Sequence, residues 1–395
     1  MTRLAGLLLA AALSVLAPTA HAQAPILVGL DAEVGDATST SDEAIRTGIR
    51  LAMDEINARG GLLGGRKLQL VERDNRSVPA RGLANARELA AMPGLVAFFC
   101  GKFSPVAVEH AKVANETGAL LLDPWAAADN IVDNGAAVNH VFRLSLRDSW
   151  AIAALLKHAQ ARGLTRVGLL VPNSGWGRSS SKAAETYVAT KGGLQLVSTQ
   201  WYNWGGDMSF LERYRAMRDA GAQAVVLVAN EREAAALVKE VAALPAAERL
   251  PILSHWGLTG GDFPALAGPA LSQVDLVVVQ TFALGEAKGA RAQRVVRAAL
   301  ETFKVVDPAR VPSAVGLIHA YDLTHLLAAA IERAGSAERA AVRAELQRLP
   351  AQEGLMKRYA RPFAPDRHEA LSEADLFLAR FSGDGRLLRD ARGRP

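Results

Sequence analysis

The sequence predicts an α/β protein built from parallel sheets covered by helices on both faces. In the opening segment, the short aliphatic run at residues 26–30 is followed by a helical pattern over residues 42–58. Gly60-Gly61 ends this helix, and from residue 68 to residue 72 apolar and polar residues alternate as in a half-buried strand. A strand, a helix and a second strand form the first unit of an open sheet, and the alternation continues along the chain.

The remaining strand candidates are short aliphatic runs bounded by turn residues. They lie at residues 95–100, 120–122, 167–171, 194–200, 224–229, 252–254 and 276–280. Helix candidates between the strands lie at residues 79–91, 105–116, 149–161, 179–190, 208–219 and 231–243. Three further helices, at residues 290–303, 315–334 and 339–347, have no clear partner strand, and YARPF and LFLARF suggest a terminal hairpin near Asp384-Gly385.

The alternation restarts near residues 142–148, which divides the strands into two series. A single sheet of nine strands is the alternative, but two sheets of four to six strands agree better with the usual size of sheets. A chain of 395 residues is long enough for two domains of this kind.

The first 22 residues have the pattern of a secretory signal peptide. Arg3 precedes an apolar run at residues 4–16, and Ala20-His21-Ala22 matches the small-residue motif of a cleavage site before Gln23. Gln23 is not a cysteine, so we expect no lipid anchor. No later run reaches the ~18 apolar residues of a spanning helix. We therefore expect a soluble protein of the periplasm.

Composition argues against a nucleic-acid-binding or disulfide-bonded protein. The net charge is +5 and the pI is near 9.4, but the arginines are scattered. The densest group is in the tail, at Arg386, Arg389, Arg392 and Arg394. This distribution indicates a solvated basic surface, with an anionic partner surface as the alternative. Cys100, the single cysteine, is expected to be a buried inert thiol.

The motifs of common enzyme classes are absent from the sequence. It contains no G-x-S-x-G, Walker A, H-E-x-x-H or C-x-x-C pattern. His319 and His325 lie six residues apart on a predicted helix and do not share a face closely, so we expect no metal pair. The sequence favours a binding protein without cofactor or metal over an enzyme.

Ser104 and three tryptophans are the candidate ligand contacts. Ser104 precedes a predicted helix, whose free N–H groups and positive dipole end could bind a carboxylate; a plain helix cap is the alternative. Trp125, Trp176 and Trp256 each follow a predicted strand, and ligands of open α/β sheets bind at the carboxyl ends of strands. Ordinary loop packing is the alternative for these rings. Core or hinge positions are expected for Trp150, Trp201 and Trp204.

The order of several short motifs resembles the type I periplasmic solute-binding proteins of ABC importers, in particular the leucine/isoleucine/valine-binding family. These motifs are INARGG, TGALLLDPWAA, FRLSLRD, VGLLVPNSGWGRS, AGAQAVVLVAN and LPILSHWG. The resemblance implies a two-lobed type I fold in which each lobe is a mostly parallel sheet flanked by helices. It implies three chain crossings between an N-terminal lobe, residues 23–147 plus 282–352, and a C-terminal lobe, residues 148–281 plus 353–395.

The resemblance also implies a set of ligand-binding residues. In amino-acid-binding relatives a serine binds the ligand carboxylate and the loop after the next strand binds the ammonium, while the second lobe supplies an aromatic cover, a tyrosine and a glutamate. The matching positions in this chain, in the same order, are Ser104, Trp125-Ala126-Ala127, Trp176, Asn230 and Trp256.

Two of these positions depart from the amino-acid-binding pattern. Ala127 lacks the expected hydroxyl, and Trp256 stands where the glutamate is expected. A one-residue shift of the alignment would instead bring Glu231 or Asp262 to the site. If the ligand were an amino acid, the charge of its enclosed ammonium would have no carboxylate partner to offset the loss of water. The resemblance therefore implies an apolar or aromatic carboxylic acid rather than leucine or valine.

The expected function is the substrate-binding component of an ABC importer, with membrane permease and ATPase subunits as partners. We expect a monomer that binds a small molecule and no nucleic acid. An amino-acid or amide-binding protein and a ligand-sensing subunit of a receptor or regulatory system are the alternatives. A secreted hydrolase is a third, for which Ser179 to Ser181 and His255 are the only candidate groups.

Export gives the first testable prediction. Protein recovered from the periplasm should begin at Gln23, because Ala20-His21-Ala22 fits signal peptidase. N-terminal sequencing measures this directly, and an uncleaved product retained in the cytoplasm would contradict it.

Overall fold

The computed structural model describes residues 24–35, 39–205 and 209–391. The predicted signal peptide, Gln23, Arg392, Arg394 and the first residue of the predicted helix 208–219 lie outside the described residues. Within the described part the chain forms two large sheets flanked by helices, so the predicted α/β class is confirmed.

The first sheet has five parallel strands in the order β2-β1-β3-β4-β5. These strands are β1 Ile26–Ala32, β2 Leu68–Asp74, β3 Leu95–Cys100, β4 Leu120–Asp123 and β5 Val141–Arg143. β3 is buried along its whole length because helices cover both faces of the sheet. Cys100 in this strand is a buried free thiol, as predicted. β5 was absent from the predicted strands, since three residues are too few to show a pattern.

The second sheet has seven strands in the order β14-β13-β10-β9-β8-β6-β7, more than the four to six that we predicted. These strands are β6 Arg166–Pro172, β7 Gln195–Tyr202, β8 Ala224–Leu227, β9 Ile252–Ser254, β10 Leu276–Gln280, β13 Phe377–Phe381 and β14 Leu387–Arg389. The terminal hairpin is formed by β13 and β14, which pair antiparallel on either side of Asp384-Gly385. YARPF does not belong to it, because Tyr359 lies in the separate pair β11 Gln352–Glu353 and β12 Arg358–Tyr359.

Eleven α-helices lie within the described residues. They are α1 Ser41–Ala58, α2 Pro79–Ala91, α3 Ser104–Thr117, α4 Asp148–Ala161, α5 Gly175–Lys191, α6 Leu211–Asp219, α7 Glu231–Ala242, α8 Phe263–Ala267, α9 Ala290–Phe303, α10 Ala314–Ala334 and α11 Arg339–Leu346. α10 packs closely on α1 at Gly48, where a β-carbon would lie 2.1 Å from the Leu317 carbonyl oxygen. The late helices without partner strands thus cover the first sheet.

One helix is long and apolar enough to cross a membrane, which the sequence did not lead us to expect. It is α10, and 83% of its most apolar 18-residue window is buried inside the protein. Burial of this extent is typical of a core helix in a folded lobe rather than a lipid-facing span.

The lobe boundaries remain a prediction, but the segment around His368 indicates a different position for the third crossing. The Arg143 N–H donates to the His368 carbonyl (2.8 Å), and the Ala370 N–H donates to the Arg143 carbonyl (2.8 Å). The segment around His368 therefore extends the edge of the first sheet beyond β5. We propose that the third crossing lies after Ala370, instead of between residues 352 and 353.

Candidate functional site

A cavity lies between the two sheets, at the carboxyl ends of strands from both. Its walls lie nearly in contact in this conformation, because only about 10 Å³ of the space between them is open to a molecule the size of water. The loops after β3 and β4 contribute Lys102, Phe103, Ser104, Trp125 and Ala127. The loops after β6, β7, β8 and β9 contribute Trp176, Trp204, Asn230, Trp256 and Gly257. This edge is where open α/β sheets bind ligands, and we call this space the interlobe cavity.

The structure brings six of the seven predicted site residues together around this cavity, namely Ser104, Trp125, Ala127, Trp176, Asn230 and Trp256. Ala126 is the exception, because it is fully buried behind the loop surface. Contact of these residues with a ligand stays a prediction.

Four lining residues were missed from the sequence: Lys102, Phe103, Trp204 and Gly257. Lys102 and Phe103 directly precede Ser104, so the same strand-end rule would have found them. Trp204 packs against the main hydrophobic core, as the core-or-hinge prediction allows, and also lines the cavity. The predicted strand before it stopped at residue 200, whereas β7 runs on to Tyr202. Trp201 is 39% exposed, so it is not a core residue.

Tryptophan rings from both lobes form the apolar walls of the cavity. Trp125 of the first lobe and Trp256 of the second have ring centroids 5.3 Å apart with planes inclined at 36°. Trp176 and Trp204 are stacked at 6.5 Å with planes inclined at 28°. Flat apolar surfaces of this kind suit a planar or branched hydrocarbon body.

Ser104 does not cap its helix. α3 begins at Ser104 itself, and the hydroxyl oxygen accepts hydrogen bonds from the backbone N–H groups of Ala127 (3.2 Å) and Ala128 (3.3 Å). Both bonds use the oxygen as acceptor, so the hydroxyl proton remains to be donated toward the cavity. The alternative interpretation, that Ser104 serves as an ordinary N-cap of α3, is therefore wrong.

The helix end itself offers fewer N–H groups than the sequence led us to expect. Pro105 has none, and those of Val106 and Ala107 both donate to the Phe103 carbonyl at 3.0 Å. The hydroxyl of Ser104, not a row of helix N–H groups, is the directional donor at this end of the cavity.

Each of the four carbonyls in residues 125–128 accepts a hydrogen bond from the protein. The Ser145 hydroxyl donates to the first carbonyl (2.9 Å), and the Asp148 N–H donates to the third (2.8 Å). The Arg143 guanidinium donates to the second (3.2 Å) and the fourth (2.9 Å). The loop thus turns its acceptors into the protein and away from the cavity.

Arg143 is fully buried and depends on two carboxylates. It forms a bidentate pair with Glu369, with Nε–Oε2 at 2.9 Å and Nη2–Oε1 at 2.5 Å, and Nη1 lies 4.0 Å from Asp123 Oδ2. Burial raises the pKa of Asp123 to about 6, although the Arg143 charge opposes this. Oδ1 of Asp123 accepts the N–H groups of Trp125 (3.0 Å) and Ala126 (2.7 Å). Asp123 and Arg143 together fix the loop.

Lys102 is the cation of the interlobe cavity. Its ammonium donates to the Ser39 hydroxyl and lies 3.8 Å from Glu33 Oε2. Two further carboxyls stand nearby; burial raises the pKa of both Asp42 and Glu233, while the charge of Lys102 opposes the rise.

No Asp or Glu lines the interlobe cavity among residues 24–35, 39–205 and 209–391. Glu231 is buried at the start of α7, with Oε2 3.2 Å from the place of a β-carbon on Gly260. Asp262 accepts the N–H of Ala265 (3.3 Å) at the start of α8 and lines a different cavity. Neither Glu231 nor Asp262 lines the interlobe cavity. A one-residue shift of the alignment with amino-acid-binding relatives would have placed one of them there.

The lobes contact each other on both sides of the cavity. The Gly260 carbonyl of the second lobe accepts the Thr40 N–H (2.8 Å) and the Ser41 hydroxyl (2.9 Å) of the first. On the other side the Asp129 N–H donates to the Ser179 hydroxyl (3.1 Å). These contacts keep the two walls together, as in a closed form.

The surroundings of the two histidines of α10, His319 and His325, indicate a structural role for both. His319 contacts the Pro124 carbonyl through Nδ1 and Thr281 Oγ1 through Nε2, both at 3.0 Å, and burial lowers its pKa to about 4. Burial lowers the pKa of His325 to about 3. In the described part of the chain no group of three or more His, Cys, Asp or Glu side chains could hold a metal ion.

Comparison with known proteins identifies the family. The sequence profile described as periplasmic binding protein matches residues 26–386. The chain belongs to this family. The resemblance to type I periplasmic binding proteins inferred from the motifs is thus confirmed. Members of the family are solute-binding proteins and are normally periplasmic, which agrees with the expected export.

Named relatives of this periplasmic binding protein include amino-acid and aromatic-acid binders. The Leu/Ile/Val-binding protein BraC3 of Rhizobium johnstonii is 25% identical over 82% of each chain. A type 1 periplasmic binding protein from Bordetella pertussis superposes with a TM-score of 0.81 at 19% identity, covering 93% of this chain and 99% of its own. An ABC-transporter solute-binding protein of R. palustris in complex with benzoate gives 0.75 at 21% identity, covering 93% and 95%. At these identities the two structures show the fold alone.

The Arg143–Glu369 pair gives a stability prediction. Arg143→Met leaves Glu369 buried without its cation, which should lower the free energy of unfolding by about 3–5 kcal/mol in urea titrations. The matched control is Arg358→Met, because Arg358 pairs with Glu353 at 2.9 Å where both side chains are largely exposed. That control should lose less than about 1 kcal/mol. Equal losses in the two variants would contradict the role given to Arg143.

Proposed function

We propose that this periplasmic binding protein captures a small organic acid with a flat apolar body, such as an aromatic carboxylate, for an ABC importer. The observation that carries the proposal is the charge of the interlobe cavity. Among the described residues its lining contains one cation, Lys102, and no carboxylate. Permease and ATPase subunits are the partners that this function requires.

The donors of the cavity suit a carboxylate. Ser104 has its hydroxyl proton available, because the oxygen already accepts two backbone N–H groups. Lys102 supplies a positive charge beside it on the loop after β3. Hydrogen bonds to a charged group contribute about 1.5–3 kcal/mol each, so these two residues could supply most of the polar affinity.

The walls of the cavity suit a planar apolar body. Trp125 contacts Trp256 and Trp176 stacks on Trp204, in two ring pairs. The space between the walls is too small for a benzene ring in this conformation, so the tryptophan rings must move apart to admit one. A ring bound between them would be removed from water on both faces, at about 25 cal/mol per Å² of buried apolar surface. The benzoate complex of the R. palustris neighbour supports the same ligand class.

An α-amino acid is the alternative that the Rhizobium relative suggests. Its ammonium would need acceptors, and the carbonyls of residues 125–128 each have one lone pair engaged by Ser145, Arg143 or Asp148. Asn230 is the remaining polar side chain of the lining. A buried ammonium with so few partners costs several kcal/mol, which disfavours leucine and valine.

A quaternary ammonium compound is the rival ligand for a tryptophan-lined cavity. Lys102 disfavours it, because a like charge within the same small cavity repels the ligand. Binding of a carboxylate and binding of a quaternary ammonium compound respond differently to substitution of Ser104 and Lys102, so calorimetry can distinguish them.

Calorimetry with benzoate, leucine and choline tests the proposal. Benzoate should bind, and Ser104→Ala should weaken it by about 1–3 kcal/mol through loss of a hydrogen bond to a charged group. Lys102→Met should weaken it at least as much, whereas Lys112→Met, on the exposed side of α3, should have no effect. Trp256→Glu should abolish benzoate binding. Tight leucine or choline binding to the unmodified protein, with none of benzoate, would overturn the proposal.

Ligand should also shift the protein toward the closed form. Only the closed form brings Ser104 of the first lobe and Trp176 of the second to the same ligand, so binding favours it. Small-angle scattering should show a smaller radius of gyration with saturating benzoate, and tryptophan fluorescence should change in parallel. Leucine serves as the control ligand. Scattering curves unchanged by a bound ligand would contradict closure.

A further inference from the structure

Asp148 is a buried carboxylate that the binding of a ligand does not directly use. It is the first residue of α4, where the chain enters the second lobe, and its side chain is fully buried. It does not line the interlobe cavity. A buried carboxylate is costly unless its hydrogen bonds offset the loss of water, so its contacts indicate its role.

The contacts of Asp148 reach one residue on each wall of the cavity. Oδ1 accepts the indole N–H of Trp176 at 3.0 Å, on the wall formed by the second lobe. The backbone N–H donates to the Ala127 carbonyl at 2.8 Å, on the wall formed by the first lobe. Asp148 therefore connects the two walls through a single residue.

Neighbouring residues pack against the ring of Trp176, and the bond to Asp148 is the hydrogen bond of its indole N–H. The His255 ring meets it edge-on, with centroids 5.1 Å apart and planes at 78°, and His255 Nε2 lies 3.1 Å from the same Asp148 oxygen. On the far edge, a β-carbon on Gly257 would lie 2.5 Å from Trp176 Cη2. The ring thus fits between His255 and Gly257, and its N–H is the atom that sets its rotation.

We propose that Asp148 is a positioning residue that fixes the indole of Trp176 and so sets the width of the gap between Trp176 and the Ala127 loop. The inference rests on the proposed function, since it assigns Trp176 to the ligand-binding wall. The hydrogen bond from the indole N–H to Asp148 Oδ1 is directional, which suits it to hold a flat ring at one angle.

The first test needs no ligand. In full-length protein labelled with ¹⁵N-tryptophan, the indole N–H signal of Trp176 is identified by its loss in Trp176→Phe. Asp148→Ala should speed solvent exchange of this N–H at least tenfold. Asp148→Asn, whose amide oxygen can still accept the bond, should keep the rate within about threefold of the unmodified protein. Equal rates in the Ala variant and the unmodified protein would overturn the proposal.

The second test uses benzoate as the probe. Asp148→Ala should weaken benzoate binding at least tenfold, and Asp148→Asn should restore most of the loss. In a Trp176→Phe background, which lacks the indole N–H, Asp148→Ala should add less than twofold. The same loss in both backgrounds would show that Asp148 does not act through Trp176, and would overturn the proposal.

The outcomes separate this inference from the proposed function. If benzoate does not bind the unmodified protein, the proposed ligand class fails, while the indole exchange rates still decide the role of Asp148. If Asp148→Ala does not fold, as judged by circular dichroism, Asp148→Ser replaces it. The serine oxygen is too short to reach the indole, so the same exchange difference is expected.

Discussion

The buried guanidinium of Arg143 determines what the first lobe offers to a ligand. By donating to the carbonyls of Ala126 and Ala128, it turns the acceptors of the loop after β4 inward. The N–H groups of Ala127 and Ala128 are left to meet the Ser104 hydroxyl, whose proton then faces the cavity. A buried arginine is tolerated only with excellent partners, and the bidentate pair with Glu369 provides them. The polarity of the site thus follows from one ion pair behind it.

The division of the site between two sheets follows from the physics of parallel strands. Their carboxyl ends meet at one edge, and the loops there carry side chains that the sheet itself does not need for packing. Neither lobe alone forms the cavity, because Ser104 and Lys102 belong to the first lobe, while Trp176 and Trp256 belong to the second. Contacts such as those of the Gly260 carbonyl with Thr40 and Ser41 bring the walls together without touching the ligand space.

Local patterns predicted most of the fold, and long-range contacts account for what was missed. β3, α2 and β10 agree with their predicted bounds because aliphatic runs and helical spacing are local signals. Ser104, Trp125, Trp176 and Trp256 followed from their places after strands. The role of Arg143 could not be predicted, since its partner Glu369 is 226 residues away in the chain. The place of Ala126 behind the loop surface depends on the same contact.

Charge around the interlobe cavity connects these elements to ligand choice. Lys102 stands among Glu33, Asp42 and Glu233, which at full ionisation would make this region negative and repel an acid. Burial raises the pKa of Asp42 and Glu233, because both lose solvation by water, while the charge of Lys102 opposes the rise. In the proposed complex, a ligand carboxylate beside Lys102 would be attracted by the lysine ammonium. The carboxylate of Glu33, at 3.8 Å from that ammonium, would compete with the ligand for it. The proposed preference of the cavity for an anion would depend on the desolvated surroundings of the lysine as well as on the lysine itself.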